Sequence, residues 1–124
     1  MSREIKFRAY VKKPKRMVEV RILEMGEKIY ALHQWFKKEE YELMQYTGLK
    51  DKNGVEIYEG DIVKATNYPA IEVIYDKESC SFKMKVQYIG WEDLLILSSN
   101  KTPHLEVIGN VWEHKHLLGK QNDS

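Results

Sequence analysis

Apolar residues in this chain recur at every second position in short runs, and that period decides what it can fold into. Cys80, Phe82, Met84 and Val86 alternate with Ser81, Lys83 and Lys85, and Val18, Val20 and Ile22 alternate with Glu19 and Arg21. Ile5, Phe7 and Ala9 alternate in the same way with Lys6 and Arg8. Side chains two residues apart share one face of a strand, so each run reads as a strand with one buried face. Turn formers punctuate the runs. Pro14 donates no amide hydrogen, which makes residues 12–16 a hairpin loop. Gly26 marks a turn, and a third strand is expected over residues 29–32. Asn53-Gly54 has the residue types of a type I′ turn with two positive φ angles. Gly60 is expected in a backbone conformation poor for a residue with a Cβ. Residues 71–75 and 80–88 read as a hairpin joined by the polar residues 76–79. Residues 43–47 read as extended and residues 105–112 as a closing strand, while residues 33–42 and 91–97 fit helix or strand. Short strands at this spacing predict a mainly β protein, a small barrel or sandwich, with Val63, Val73, Phe82, Met84, Val107 and Val111 among the core positions.

The chain has 124 residues, enough for one domain or for a small barrel with a lobe attached. Its single cysteine, Cys80, excludes an intrachain disulfide. Met1-Ser2-Arg3-Glu4 lacks the pattern of a signal peptide, and the longest apolar run, residues 94–97, is four residues. A soluble cytoplasmic protein with no membrane partner is expected. Charge is unevenly placed: residues 1–38 hold eleven Lys/Arg and four acids, net +7, and the remaining 86 residues are −6. Either the charges interleave on a solvated surface, or the basic end has an electrostatic partner.

No side-chain constellation points to catalysis. Cys80 falls in register with Phe82, Met84 and Val86, which predicts a buried thiol and not a nucleophile. His114 and His116 are spaced to share a strand face, but nothing beside them completes a metal site, and a solvated surface is expected. His33 and His104 are isolated. Glu56, Glu59 and Asp61 read as turn carboxylates, and Glu39, Glu40 and Glu42 as a solvated face. No phosphate loop, nucleophile elbow or zinc quartet is present in the sequence. No enzyme activity, catalytic residue, cofactor or metal is expected. The feature that remains is the basic end. Lys6 and Arg8 on one strand face, with Lys12, Lys13, Lys15 and Arg16 in the adjoining loop, form the candidate polyanion-binding set. Trp35, Phe36, Tyr41, Met44 and Tyr46 are either interface anchors or core.

Three segments carry a family resemblance: Lys6-Phe7-Arg8-Ala9-Tyr10, the long block from Leu43-Met44-Gln45-Tyr46-Thr47-Gly48 through Asn53-Gly54 to Glu59-Gly60-Asp61-Ile62-Val63, and Leu105-Glu106-Val107-Ile108-Gly109-Asn110-Val111-Trp112-Glu113. In this order the chain resembles the YopX-like proteins of phages and prophages, from about Arg3 to Leu118. The resemblance implies a C-terminal SH3-type β-barrel of about five strands and a smaller β-rich N-terminal lobe. The expected layout is a basic lobe over residues 1–42, the barrel over 43–118 and a flexible tail over 119–124. The chain departs from the family pattern at Tyr10-Val11 and at His114-Lys115-His116, so no site residue carries over from those places. The expected role is a phage accessory protein of unknown activity, a non-enzymatic protein-interaction module; the alternative is a nucleic-acid-binding module that uses the basic lobe. The expected partner is a host or phage protein, with nucleic acid and self-association as further possibilities.

Overall fold

The two-residue alternation becomes twelve strands among the described residues, with antiparallel pairing in both units of the chain. The computed structural model describes residues 6–24, 27–88 and 90–119, in two units, Met1–Tyr46 and Thr47–Ser124. Among the described residues no helix is long and apolar enough to cross a membrane. The expected strand residue Ile5, the turn at Gly26 and residues 120–124 of the tail lie outside the described residues.

In the first unit, β1 (Phe7–Val11) lies between β2 (Arg16–Glu19) and β6 (Tyr41–Lys50). Ala9 is paired with Val18 on one side and Leu43 on the other. β3 (Ile22–Glu24), β4 (Lys28–Ala31) and β5 (Gln34–Lys37) form a second, three-stranded sheet. Ala9, Val11, Val18, Ile29, Ala31, Phe36 and Tyr41 make this unit's core. The single strand expected through Val18, Val20 and Ile22 is in fact two. The chain leaves β2 after Glu19, and the Arg21 N–H donates to the Tyr30 carbonyl at 3.0 Å, which carries it to the neighbouring sheet. Residues 33–42 are strand for the most part, with a short 3-10 turn at Lys38–Glu40. The Lys37 N–H is held by the Glu40 carboxylate at 2.7 Å.

The second unit takes the end of β6, then β7 (Glu56–Tyr58), β8 (Asp61–Lys64), β9 (Ile71–Asp76), β10 (Ser81–Tyr88), β11 (Trp91–Ile96) and β12 (Glu106–Asn110). Five of these form a curled sheet in the order β11-β10-β9-β8-β12. The core of this unit includes Ile57, Val63, Ile71, Val73, Phe82, Met84, Val86, Leu97 and Leu105. Expected core residues Val63, Val73, Phe82 and Met84 are there, and Val107 packs against them half-buried. Val111 is not core. The ladder slips between Val107 and Gly109, β12 ends at Asn110, and the Asn110 carboxamide oxygen takes the N–H groups of Trp112 and Glu113. Val111 is therefore half-buried beyond the strand. Gly60 adopts φ +89°, as its position predicts. Its N–H donates to Val73 and its carbonyl accepts from Val111, both at 2.8 Å.

Two further expectations fail for local reasons. Asn53-Gly54 is not a type I′ turn, because only Gly54 has positive φ, at +81°. Asp51 sets a different turn: its Oδ1 takes the N–H of Asn53 and of Val55, and its carbonyl takes the Gly54 N–H at 3.0 Å. Cys80 is exposed and not buried. The Asp76 carboxylate accepts from the Glu78 N–H and the Ser79 hydroxyl and pairs with Lys83 at 2.9 Å. That extends the turn by one residue, so Cys80 takes φ +53° and the strand starts at Ser81.

Candidate functional site

The strand period places the basic residues. Ala9 and Val11 point into the core, so Arg8 and Tyr10 share the opposite face of β1, and Lys6 just before it falls in the same alternation. The Lys6 ammonium lies 5.1 Å from the centre of the Tyr46 ring, and the Arg8 guanidinium is 3.6 Å from the Met44 sulfur. Carboxylates lie among these cations: Arg8 is paired across the ladder with Glu19, and the Lys12 ammonium is 3.5 Å from Glu42. Lys13, Lys15 and Arg16 are exposed around the hairpin end, where the Lys13–Pro14 bond is cis. The six residues therefore divide into a half-buried pair on the sheet and four exposed cations at its tip.

A different feature comes from the packing of the second unit. A cavity of about 750 Å³ opens there, and its floor includes the core side chains Ile71, Met84 and Leu105 together with Leu95. Thr66 and Tyr68 of the β8–β9 loop, Lys101, Pro103 and His104 at the Thr102–His104 turn, and Lys52 complete the lining. Each of these segments is held by hydrogen bonds to backbone carbonyls. The Lys64 ammonium donates to the carbonyls of Ala65 and Tyr68, and the Tyr68 N–H donates to Ala65 at 3.2 Å, which folds the β8–β9 loop back on itself. The 3-10 turn Thr102–His104 is anchored by the N–H groups of Lys101 and Thr102 on the Ser98 carbonyl, and Thr102 is buried. Lys52 is held from behind, because its N–H donates to the Leu105 carbonyl at 3.0 Å.

The formally charged residues that line this groove, Lys52 and Lys101, are of one sign. Among the described residues that line it, none carries a carboxylate, while Lys52 and His104 are exposed and Lys101 is half-buried. The Lys101 ammonium donates to the Ile96 carbonyl at 3.0 Å, a partner that leaves its charge uncancelled. The Lys52 ammonium lies 3.8 Å from Glu106, with both side chains about half exposed, so that pair is weak. Beneath Lys52, burial alone raises the pKa of the Asp51 carboxyl. Backbone donors from Val107, Val55 and Asn53, with the Lys52 charge, outweigh it and hold the group below the ordinary carboxylate range. An apolar floor under an aromatic, proline and cationic rim suits a ligand that buries an apolar side chain and leaves polar groups at the mouth.

The remaining candidates are scattered. His114 and His116 share no strand: His114 lies past β12, and His116 is exposed, as expected, in the 3-10 turn Lys115–Gly119. His114 is half-buried, with its Nδ1 accepting the Asn110 N–H at 3.1 Å. The Asp61 carboxylate accepts the Tyr58 N–H at 2.8 Å, a turn-closing bond. Phe36, Tyr41, Met44 and Tyr46 are buried and Trp35 is exposed, with its edge toward Tyr30 at 5.2 Å. The groove residues are invisible to motif reading because they come from five separated stretches of the sequence. The usable signal is an aromatic or polar residue followed by proline in two loops, Tyr68-Pro69 and Thr102-Pro103.

Comparison with known proteins gives a consistent picture. A family model described as YopX protein matches residues 6–119. No curated protein matches the chain. Among solved structures it is similar to the crystal structure of protein EF1440 from Enterococcus faecalis, with a TM-score of 0.69 and 29% sequence identity over 94% of this chain and 99% of that one.

Proposed function

The chain belongs to the YopX protein family, and from that premise we propose that it is a phage or prophage accessory protein that acts without catalysis, by binding a protein partner through an SH3-type barrel. Strand connectivity supports the barrel. β8, β9, β10 and β11 follow one another as a meander, a 3-10 turn comes next, and β12 returns to pair with β8, which is the strand order of SH3-type folds. The observation that carries the binding role is the groove between the β8–β9 loop and the Thr102–His104 turn, whose floor reaches the core. In this reading the protein works in the host cytoplasm, and its partner is a host or phage protein that presents an extended segment.

The test is selection of displayed random peptides on the full chain. Enriched peptides are then measured by fluorescence anisotropy against wild type and a Tyr68→Ala/Pro103→Ala variant. Both substituted side chains are exposed, so the fold is retained. The expected result is binding to wild type that weakens by roughly tenfold in the variant, the equivalent of about 1.4 kcal/mol. Failure to enrich peptides, or equal binding to both proteins, rejects the groove as the site.

A second reading has its own observation. Lys12, Lys13, Lys15 and Arg16 are all exposed at one hairpin end, a cluster suited to nucleic-acid phosphates. Glu42, 3.5 Å from the Lys12 ammonium, and Glu19, opposite Arg8 in the ladder, make it the weaker of the two.

A further inference from the structure

We infer that the groove of the second unit selects an acidic segment of its protein partner, one that seats an apolar side chain on Leu95, Met84 and Leu105 while its carboxylates meet Lys52, Lys101 and His104. The inference rests on the groove reading and adds the chemistry of the occupant. Its basis is a local reversal of charge. Thr47–Ser124 holds nine Lys/Arg against twelve Asp/Glu, so the unit as a whole is net −3. The described groove lining has no acid and places two lysines and a histidine around one mouth. An acidic segment meets a unit of net negative charge whose groove lining carries only cations, and a local reversal of this kind steers a ligand and fixes its register.

The rim is built to hold that charge in position. The Lys101 ammonium is tied to the Ile96 carbonyl, which orders the side chain without neutralising it. The Lys52 backbone is tied to Leu105, a residue of the floor, so cation and apolar seat are fixed to each other. A carboxylate arriving beside an ammonium that is already ordered loses less entropy on binding than one that must order a free lysine. The floor supplies the other half of recognition, since Met84 adapts its shape to an inserted apolar group.

The experiment uses the same displayed random peptides and reads their composition and their salt response. Enriched peptides are expected to carry Asp or Glu beside an aromatic or aliphatic residue. Binding of synthetic copies should weaken as salt rises, because the charged groups are partly exposed. Lys52→Gln with Lys101→Gln should weaken an acidic peptide on the order of tenfold. Replacing that peptide's acids with Asn and Gln should cost a similar factor in wild type and little more in the double variant. Circular dichroism verifies that the variant is folded, and a single Lys52→Gln variant, which leaves the Lys101 bond intact, serves if it is not. Enriched peptides that are uncharged or basic, yet still depend on Tyr68 and Pro103, overturn the charge inference and leave the groove reading standing. Peptides that bind the Tyr68→Ala/Pro103→Ala variant unchanged overturn both. Displacement of the peptides by single-stranded DNA or RNA at the same rim overturns the protein segment in favour of nucleic acid.

Discussion

Asp51 uses both carboxylate oxygens on backbone donors: Oδ1 closes its own turn and Oδ2 takes the Val107 N–H at 2.9 Å, stapling the turn to β12. Since its folded pKa lies below the ordinary value, its contribution is complete above the unfolded carboxylate range near about pH 4 and is lost as pH falls through the folded pKa. Asp51→Asn should therefore cost about 2 kcal/mol at neutral pH. Urea unfolding should show that gap narrowing below about pH 4, because wild type loses the same bonds by protonation. A gap independent of pH would mean the carboxylate charge contributes nothing. Gly109 makes a steric prediction instead. A Cβ there would stand 2.7–2.8 Å from the Cβ, Cγ and Nδ1 of His114. Gly109→Ala should destabilise by about 1–3 kcal/mol in thermal melts, and by clearly less in a His114→Gly background that removes all three atoms. Equal costs in the two backgrounds would assign the effect to the backbone and not to the clash.

At the scale of elements, β11 is the exposed edge of the five-stranded sheet, with Trp91, Leu94 and Ile96 all exposed. Such an edge is a template for pairing with another chain. Here the Leu94 N–H is taken by the Asp93 carboxylate at 3.0 Å, which blocks one donor and places a charge beside it. Asp93→Val should raise the mass seen by light scattering at a fixed concentration; an unchanged mass would show that the edge is protected by something else. What can be read from sequence follows from the same strand physics. β10 is legible because its two faces meet different surroundings, and so its residues alternate in type. Cys80 misleads because alternation continues by chance through a turn that Asp76 controls. The hairpin between β4 and β5 is illegible for another reason. Leu32 and His33 take φ +52° and +63° between the paired residues Ala31 and Gln34, a conformation that neither residue type advertises. Packing of Ala31 and Phe36 into the core on either side imposes it.

For the whole molecule, the charge split of the sequence is real but is tempered in the fold, because Glu42, from the acidic remainder, returns beside Lys12. What is left over is the tip. Replacing Lys12, Lys13, Lys15 and Arg16 with Ser should leave the melting temperature nearly unchanged, since exposed charges contribute little to stability. If the tip binds nucleic acid, each phosphate that the variant no longer neutralises should flatten the slope of log affinity against log salt by roughly 0.9 for duplex DNA. Wild type that binds neither DNA nor RNA at about 50 mM salt would remove the nucleic-acid reading. The groove is beyond the reach of sequence for a whole-molecule reason: Lys52, Tyr68 and Lys101 meet only after the sheet has curled. The turn that carries Lys52 also bears on how the protein ages. Asn-Gly is the dipeptide most prone to deamidation, which begins when the glycine nitrogen attacks the asparagine side chain. In this fold the Gly54 N–H is engaged by the Asp51 carbonyl and Asn53 is held by the Asp51 carboxylate, so the reaction must await a local opening. Each event turns an amide into an acid, and with a formal net charge of only +1, one is enough to bring the chain to neutrality. Storage lifetime is thus coupled to the opening rate of one short turn.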